Sequence, residues 1–265
     1  MTRLFSWTSP TAALAVALLA GHVVGDFYLQ WNGLAGAKRT RHPAWGAQIG
    51  HAFLVALATG LFLAPLFSPR LALLGALVTL VTHFPIDLVK EQVAASRRSP
   101  FAPFAIDQAA HLLVIAGLVG VARWWWPGLP SSATPDNLVP GGFLPLPASW
   151  FAVGRVLLAF AICWKPGAML VARLLEGLAR EEDTTGPAAE TMPGGGRLIG
   201  ILERWLALAL MLAGAWGAVG LVVAAKSVVR FRRFEGQAGE AFAEQFLVGT
   251  LASLLVATAA WVLAC

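Results

Sequence analysis

The chain has 265 residues, of which 58% are hydrophobic and 12% charged, with a net charge of +5. A soluble domain carries about 25% charged residues; this chain has too little charge to cover a water-exposed surface, and its apolar content excludes intrinsic disorder. What is left is an integral membrane protein, whose basic excess reads as topology and contact with anionic lipid headgroups rather than with nucleic acid. Cys163 and Cys265 both lie in apolar segments, which excludes a disulfide framework and a CxxC metal motif.

A span needs about 20 mostly apolar residues, and seven segments qualify in chain order: 11–30, 46–66, 70–90, 104–125, 148–164, 203–225 and 242–263. The first begins like a signal peptide but runs on through His22 and Asp26 to Leu29 with no small-x-small cleavage site, so it reads as a retained span. A Pro-rich loop, 127–147, follows the fourth segment. The fifth is short, carries Arg155 and stops at Lys165-Pro166-Gly167, so a re-entrant segment is its alternative reading. Residues 168–180 set Met169, Leu170, Leu174 and Leu178 beside Arg173, Glu176 and Arg180, the pattern of a helix lying in the interface. An acidic, then Gly-rich stretch, 181–196, reads as a flexible loop, and 203–225 as one uninterrupted span. The expected fold is an all-α polytopic transmembrane helix bundle of about seven spans, six if 148–164 is re-entrant. Residues 1–126 form a four-helix half and 148–265 a C-terminal half.

Lys and Arg set the orientation. With the N-terminus outside, eleven basic residues fall on the cytoplasmic side and seven on the other, with Arg155 inside a span. The basic cluster at 226–233 opposes this bias. Trp7, Trp124, Trp125, Trp126 and Trp150 fall at outer ends, and Trp31 and Trp45 at inner ends.

Ionisable residues inside spans are costly and mark functional sites. The first four segments contain His22, Asp26, His51, His83, Asp87, Asp107 and His111, all in one layer on the cytoplasmic side. His22/Asp26, His83/Asp87 and Asp107/His111 are spaced i,i+4, so each pair shares a helix face and can chelate one ion. Three pairs plus His51 supply ligands for one metal with spare acid/base groups, or for two metals. Zn²⁺ suits N/O ligation best, with Mn²⁺ or Fe²⁺ as alternatives. A faint repeat relates the two hairpins: His22-x3-Asp26 then Gln48-x2-His51, and His83-x3-Asp87 then Gln108-x2-His111. Lys90, on the face of His83 and Asp87, reads as a holder of an anionic substrate group or as a snorkelling residue. Gln30, Gln48 and Gln108 read as supports for the ligands.

Gly21-His22-x3-Asp26-Phe27-x2-Gln30, His51, His83-x3-Asp87-x2-Lys90 and Phe104-x2-Asp107-Gln108-x2-His111 resemble the DUF3307 family of bacterial integral membrane proteins, over roughly residues 14–120. Later strings are similar to the longer members of that family: Gly196-Arg197-x2-Gly200-x2-Glu203-Arg204, Ala225-Lys226-Ser227-x2-Arg230-Phe231 and Glu244-x-Phe246-x2-Gly249-Thr250-x2-Ser253. The resemblance implies a multi-pass protein of the bacterial inner membrane and brings little chemistry. In residue types alone, the layer is also similar to membrane-bound metal-dependent hydrolases of the YdjM type.

The expected function is a metal-dependent hydrolase of a lipid or lipid-linked substrate. In it His22, Asp26, His83, Asp87 and His111 are ligands, Asp107 is the general base or a bridging ligand, and His51 is a further ligand or proton shuttle. The alternatives are a transporter or proton relay, and a non-catalytic scaffold with a structural metal. The relay is opposed by the apolar outer halves 12–20, 53–63 and 73–81. In the C-terminal half, Lys226 and Arg230 form a candidate contact for anionic headgroups, with Glu244 as their neutralising partner.

Overall fold

The computed structural model describes residues 10–30, 45–96, 99–125, 148–181, 195–230 and 237–265, all of them helical or in short connections. Among these residues there is no strand. The loops 127–147 and, for the most part, 181–196 lie outside the described residues, as do Trp7, Trp31 and Trp126.

The helices are α1 (Pro10–Val23), which runs into a π turn at Val24–Tyr28, α2 (Trp45–Leu63), α3 (Pro69–Ser96) and α4 (Phe101–Trp125). They continue with α5 (Ala148–Glu181), α6 (Gly195–Leu212), α7 (Trp216–Arg230) and α8 (Gln237–Ala264). Among the described residues, six helices are long and apolar enough to cross a membrane: Pro10–Tyr28, Trp45–Leu63, Pro69–Val93, Phe101–Trp125, Trp150–Leu178 and Ala243–Ala264. The chain is therefore an all-α, multi-pass membrane protein. It divides into two compact units, Met1–Ser96 with Ala105–Arg155, and Arg97–Phe104 with Val156–Cys265.

In the first unit α2 packs against both α1 and α3. The α1–α2 contact depends on two glycines four residues apart. A Cβ on Gly21 would lie 2.5 Å from Thr59 Cα, and one on Gly25 would lie 2.6 Å from Val55 Cα. Only glycine lets the two backbones approach this closely, as at small-xxx-small helix crossings in membranes. Phe53, Leu57 and Leu61 on α2, and Leu73, Leu77 and Val81 on α3, are exposed, while His51, His83 and Asp107 are buried. This inversion, apolar outside and ionisable inside, suits a hydrocarbon solvent.

Two expectations are corrected in the second unit. Residues 168–180 are not a separate interfacial helix, because α5 runs unbroken through Pro166. The Lys165-Pro166-Gly167 turn is a packing site rather than a stop: a Cβ on Gly167 would lie 2.9 Å from Val256 Cγ1 and 3.1 Å from Arg204 Nε. Arg204 Nε donates to the Cys163 carbonyl at 2.7 Å and Nη1 to Ser253 Oγ at 3.3 Å. The second correction concerns 203–225, which is a hairpin of α6 and α7 and not one span. Gly214 adopts φ +74°, with Ala215 N–H donating to the Leu210 carbonyl at 2.8 Å and Gly214 N–H to the Met211 carbonyl at 3.0 Å. This pair of bonds around a left-handed glycine ends a helix. Hydropathy cannot register it, since the flanking residues are all apolar or small.

The reversal returns Lys226 to the level of Glu203, with which it forms an ion pair, and its Nζ also donates to Thr250 Oγ1 at 3.3 Å. Glu203, not the exposed Glu244, is thus the carboxylate that Lys226 meets. The side chain of Arg230 lies outside the described residues.

Candidate metal centre

Every ionisable residue singled out in the first four segments enters one buried cluster in the first unit. His22, Asp26, His51, His83, Asp87, Asp107 and His111 are each at most 7% exposed. Four helices supply them: α1 and its π turn, α2, α3 and α4.

The π turn changes how the first pair works. Leu29 N–H bonds the Val24 carbonyl five residues back, so the chain is wider where Asp26 sits than an α-helix would be. His22 and Asp26 consequently fall in different groups of close-set donors, where their i,i+4 spacing implies one. Asp26 Oδ1 lies 3.0 Å from His51 Nε2 on α2. His22 groups instead with His83 and His111, its ring 5.0 Å from that of His111. Gln108 ties the two halves together, sharing a 3.2 Å hydrogen bond with His22 Nε2 through Oε1 and donating from Nε2 to Asp26 Oδ2 at 3.1 Å and Asp107 Oδ2 at 2.9 Å.

Four donor atoms form a closed ring: Asp26 Oδ1 to His51 Nε2 at 3.0 Å, His51 Nε2 to Asp87 Oδ2 at 3.7 Å, Asp87 Oδ2 to His83 Nε2 at 3.9 Å, and His83 Nε2 to Asp26 Oδ1 at 3.9 Å. Donors about 2.1 Å from a tetrahedral Zn²⁺ stand roughly 3.4 Å apart, so Asp26, His51 and His83 are spaced to share one ion, with Asp87 Oδ2 beside both imidazoles. The geometry places His51 among the possible ligands. Beside this set, His111 Nε2 lies 3.4 Å from Asp107 Oδ1 and 3.9 Å from Asp87 Oδ1.

Whether the cluster is merely a hydrogen-bonded clasp can be tested on its unused atoms. His83 Nε2, His111 Nε2 and Asp107 Oδ1 are buried with no hydrogen-bond partner among the described residues. Leaving such an atom unsatisfied costs about 1–3 kcal/mol. The three converge on carboxylates and imidazoles, the donor set that a divalent cation uses.

Lys90 Nζ donates to Asp107 Oδ2 at 2.7 Å, with about a third of its side chain exposed against none of Asp107's. Gln48, 1% exposed, donates to Glu91 at 2.6 Å. Glu91 is not among the residues that the His/Asp spacing selects, although it lies four residues beyond Asp87 and eight beyond His83 on the same helix face. Pro85, inside α3 between His83 and Asp87, is likewise silent in that pattern. Gln30 is half-buried, two residues past the π turn.

Fold and cluster together define a polytopic helical membrane protein with a buried His/carboxylate centre. Residues 14–137 match the family described as protein of unknown function (DUF3307), and this part of the chain belongs to that family. The match includes all seven cluster residues and does not extend to the C-terminal motifs. No curated protein and no solved structure matches the chain, so nothing carries the likeness to YdjM-type hydrolases beyond residue types.

Proposed function

We propose that the protein is a divalent-metal-dependent hydrolase of the bacterial inner membrane, acting on a lipid or lipid-linked substrate at the cytoplasmic face. The observation that carries this reading is the ring of Asp26, His51, His83 and Asp87 donor atoms at 3.0–3.9 Å, buried among spans. Zn²⁺ fits this N/O set best, and Mn²⁺ or Fe²⁺ also fit. A bound Zn²⁺ supplies a water with a pKa near about 7 and polarises a carbonyl or phosphoryl oxygen. The chain's own residues do the rest. Asp107 takes a proton from water, Lys90 holds Asp107 by its outer oxygen, and Gln108 fixes Asp26 and Asp107 relative to each other.

The cytoplasmic placement rests on the first four segments, whose basic residues Lys38, Arg39, Arg41, Lys90, Arg97 and Arg98 fall on the side of the cluster, against Arg3, Arg70 and Arg123 on the other.

Elemental analysis of detergent-purified protein tests the reading. Wild type is expected to retain stoichiometric metal through dialysis, and His83→Ala to lose it. Equal metal content in the two, or none in wild type, overturns the proposal. Metal without hydrolysis across a lipid panel would favour a structural metal in a scaffold.

A further inference from the structure

Resting on the hydrolase reading above, we propose that the centre holds two divalent ions with Asp87 between them, and that its substrate is a phosphate ester carried by a membrane lipid. Asp87 presents one oxygen to each side: Oδ2 faces His51 and His83 at 3.7 and 3.9 Å, while Oδ1 faces His111 at 3.9 Å. A carboxylate shared in this way is how paired ions about 3.5–4 Å apart are bridged.

The two sets differ in completeness. The first, Asp26, His51 and His83 with Asp87 Oδ2 beside the two imidazoles, offers four donors. The second, Asp87 Oδ1, Asp107 and His111, has three donors and leaves a position open, which is the mark of a catalytic ion rather than a structural one. A single ion in the first set would leave Asp107 Oδ1 and His111 Nε2 buried beside each other, at 3.4 Å and without a formed hydrogen bond. A single ion in the second would leave His83 Nε2 buried and unsatisfied. A single ion among His22, His83 and His111 would leave Asp107 Oδ1 in that state, whereas two ions bridged by Asp87 use all three atoms.

Charge selects the substrate class. Asp26, Asp87 and Asp107 with Lys90 carry a net charge of two negatives when the histidines are neutral. Two divalent ions turn that into two positives, or one when Glu91 is counted. An anion therefore completes the centre, and a neutral carboxylic ester does not. Lys90, the partly exposed cation on Asp107, marks the side from which the anion enters. In the reaction the water oxygen forms a bond to phosphorus and the P–O bond to the lipid alcohol breaks. Its electron pair leaves with the alkoxide oxygen, which takes one of the two water protons. The other proton stays on the released phosphate.

The full chain, purified in detergent and loaded with Mn²⁺, tests this through bound-ion stoichiometry and electron paramagnetic resonance, with inorganic phosphate as the probe. The expected result is two equivalents per chain with an exchange-coupled signal, which millimolar phosphate alters. Asp87→Asn should abolish the coupling. Lys90→Gln should keep both ions and weaken phosphate binding about tenfold or more. One uncoupled equivalent in wild type overturns the two-ion centre and leaves the hydrolase reading standing, whereas no bound ion overturns both. Two coupled ions indifferent to phosphate, in a protein that cleaves a lipid carboxylic ester, overturn the substrate class alone.

Discussion

Replacing Gly25 by alanine tests how the centre is held together. The added Cβ would stand 2.6 Å from Val55 Cα and 3.0 Å from Val55 Cβ, against an ordinary carbon–carbon separation of about 3.5–4.0 Å. The obstruction is backbone, so α1 and α2 must separate locally by about 1 Å. Asp26 follows Gly25 directly, and its 3.0 Å contact with His51 would open to about 4 Å, beyond hydrogen-bond range. Overpacking of this kind costs about 1–3 kcal/mol, and the lost charge-assisted bond about 1.5–3 kcal/mol. Disturbing the support of a metal ligand lowers affinity by about 10–100-fold. Chelator competition for Zn²⁺ and thermal unfolding followed by tryptophan fluorescence read both effects in detergent-purified protein. Gly50→Ala is the control, because Gly50 adjoins His51 yet has nothing within 4 Å of its built Cβ, and it should behave as wild type. Wild-type affinity and stability in Gly25→Ala, or equal losses in Gly50→Ala, would refute the close-packing argument.

Further expectations follow from other parts of the molecule. Gly214→Ala forces a side chain into the left-handed region and should cost about 1–2 kcal/mol, seen as a lower unfolding temperature with metal content unchanged. A metal chelator should lower the unfolding temperature of wild type but not of His83→Ala, since only the former has a bound ion to lose. In a Cys163→Ser, Cys265→Ser background, Gly214→Cys and Arg230→Cys should react with an impermeant maleimide from opposite sides of the membrane. Labelling from the same side would contradict the hairpin topology.

The sequence announces spans well because apolar length is a local property. The first four segments accordingly coincide with helices to within a few residues. It announces the cluster for a related reason: histidine and aspartate are so costly in hydrocarbon that their mere presence at one depth is a signal. The finer pairing within the cluster is less accessible. Nothing in Val24-Gly25-Asp26-Phe27-Tyr28 distinguishes a π turn from an α turn, so the partner of Asp26 follows from tertiary packing against α2. The glycines at 21 and 25 carry a readable small-xxx-small signal, whose meaning depends on which helix they face. Gly214 is a helix-ending residue hidden in an apolar run, where hydropathy averages across the turn that the backbone makes. Lys165-Pro166-Gly167 shows the converse, a strong stop signal overridden because α5 meets Arg204 and Val256 there.

The origin of the ligands on four successive helices has a consequence for biogenesis. The earliest, His22, enters the bilayer with α1, while the last, His111, arrives only after α4 has left the insertion machinery. Until then Asp26 has neither Gln108 nor a completed set of histidines around it. A carboxylate in a lone helix costs up to about 2.5–3.5 kcal/mol at the bilayer centre and less near its edge. Its position close to the end of α1 therefore lets an incomplete chain wait in the membrane for the remaining helices. The seven-residue cluster is complete only once residue 111 has been translated.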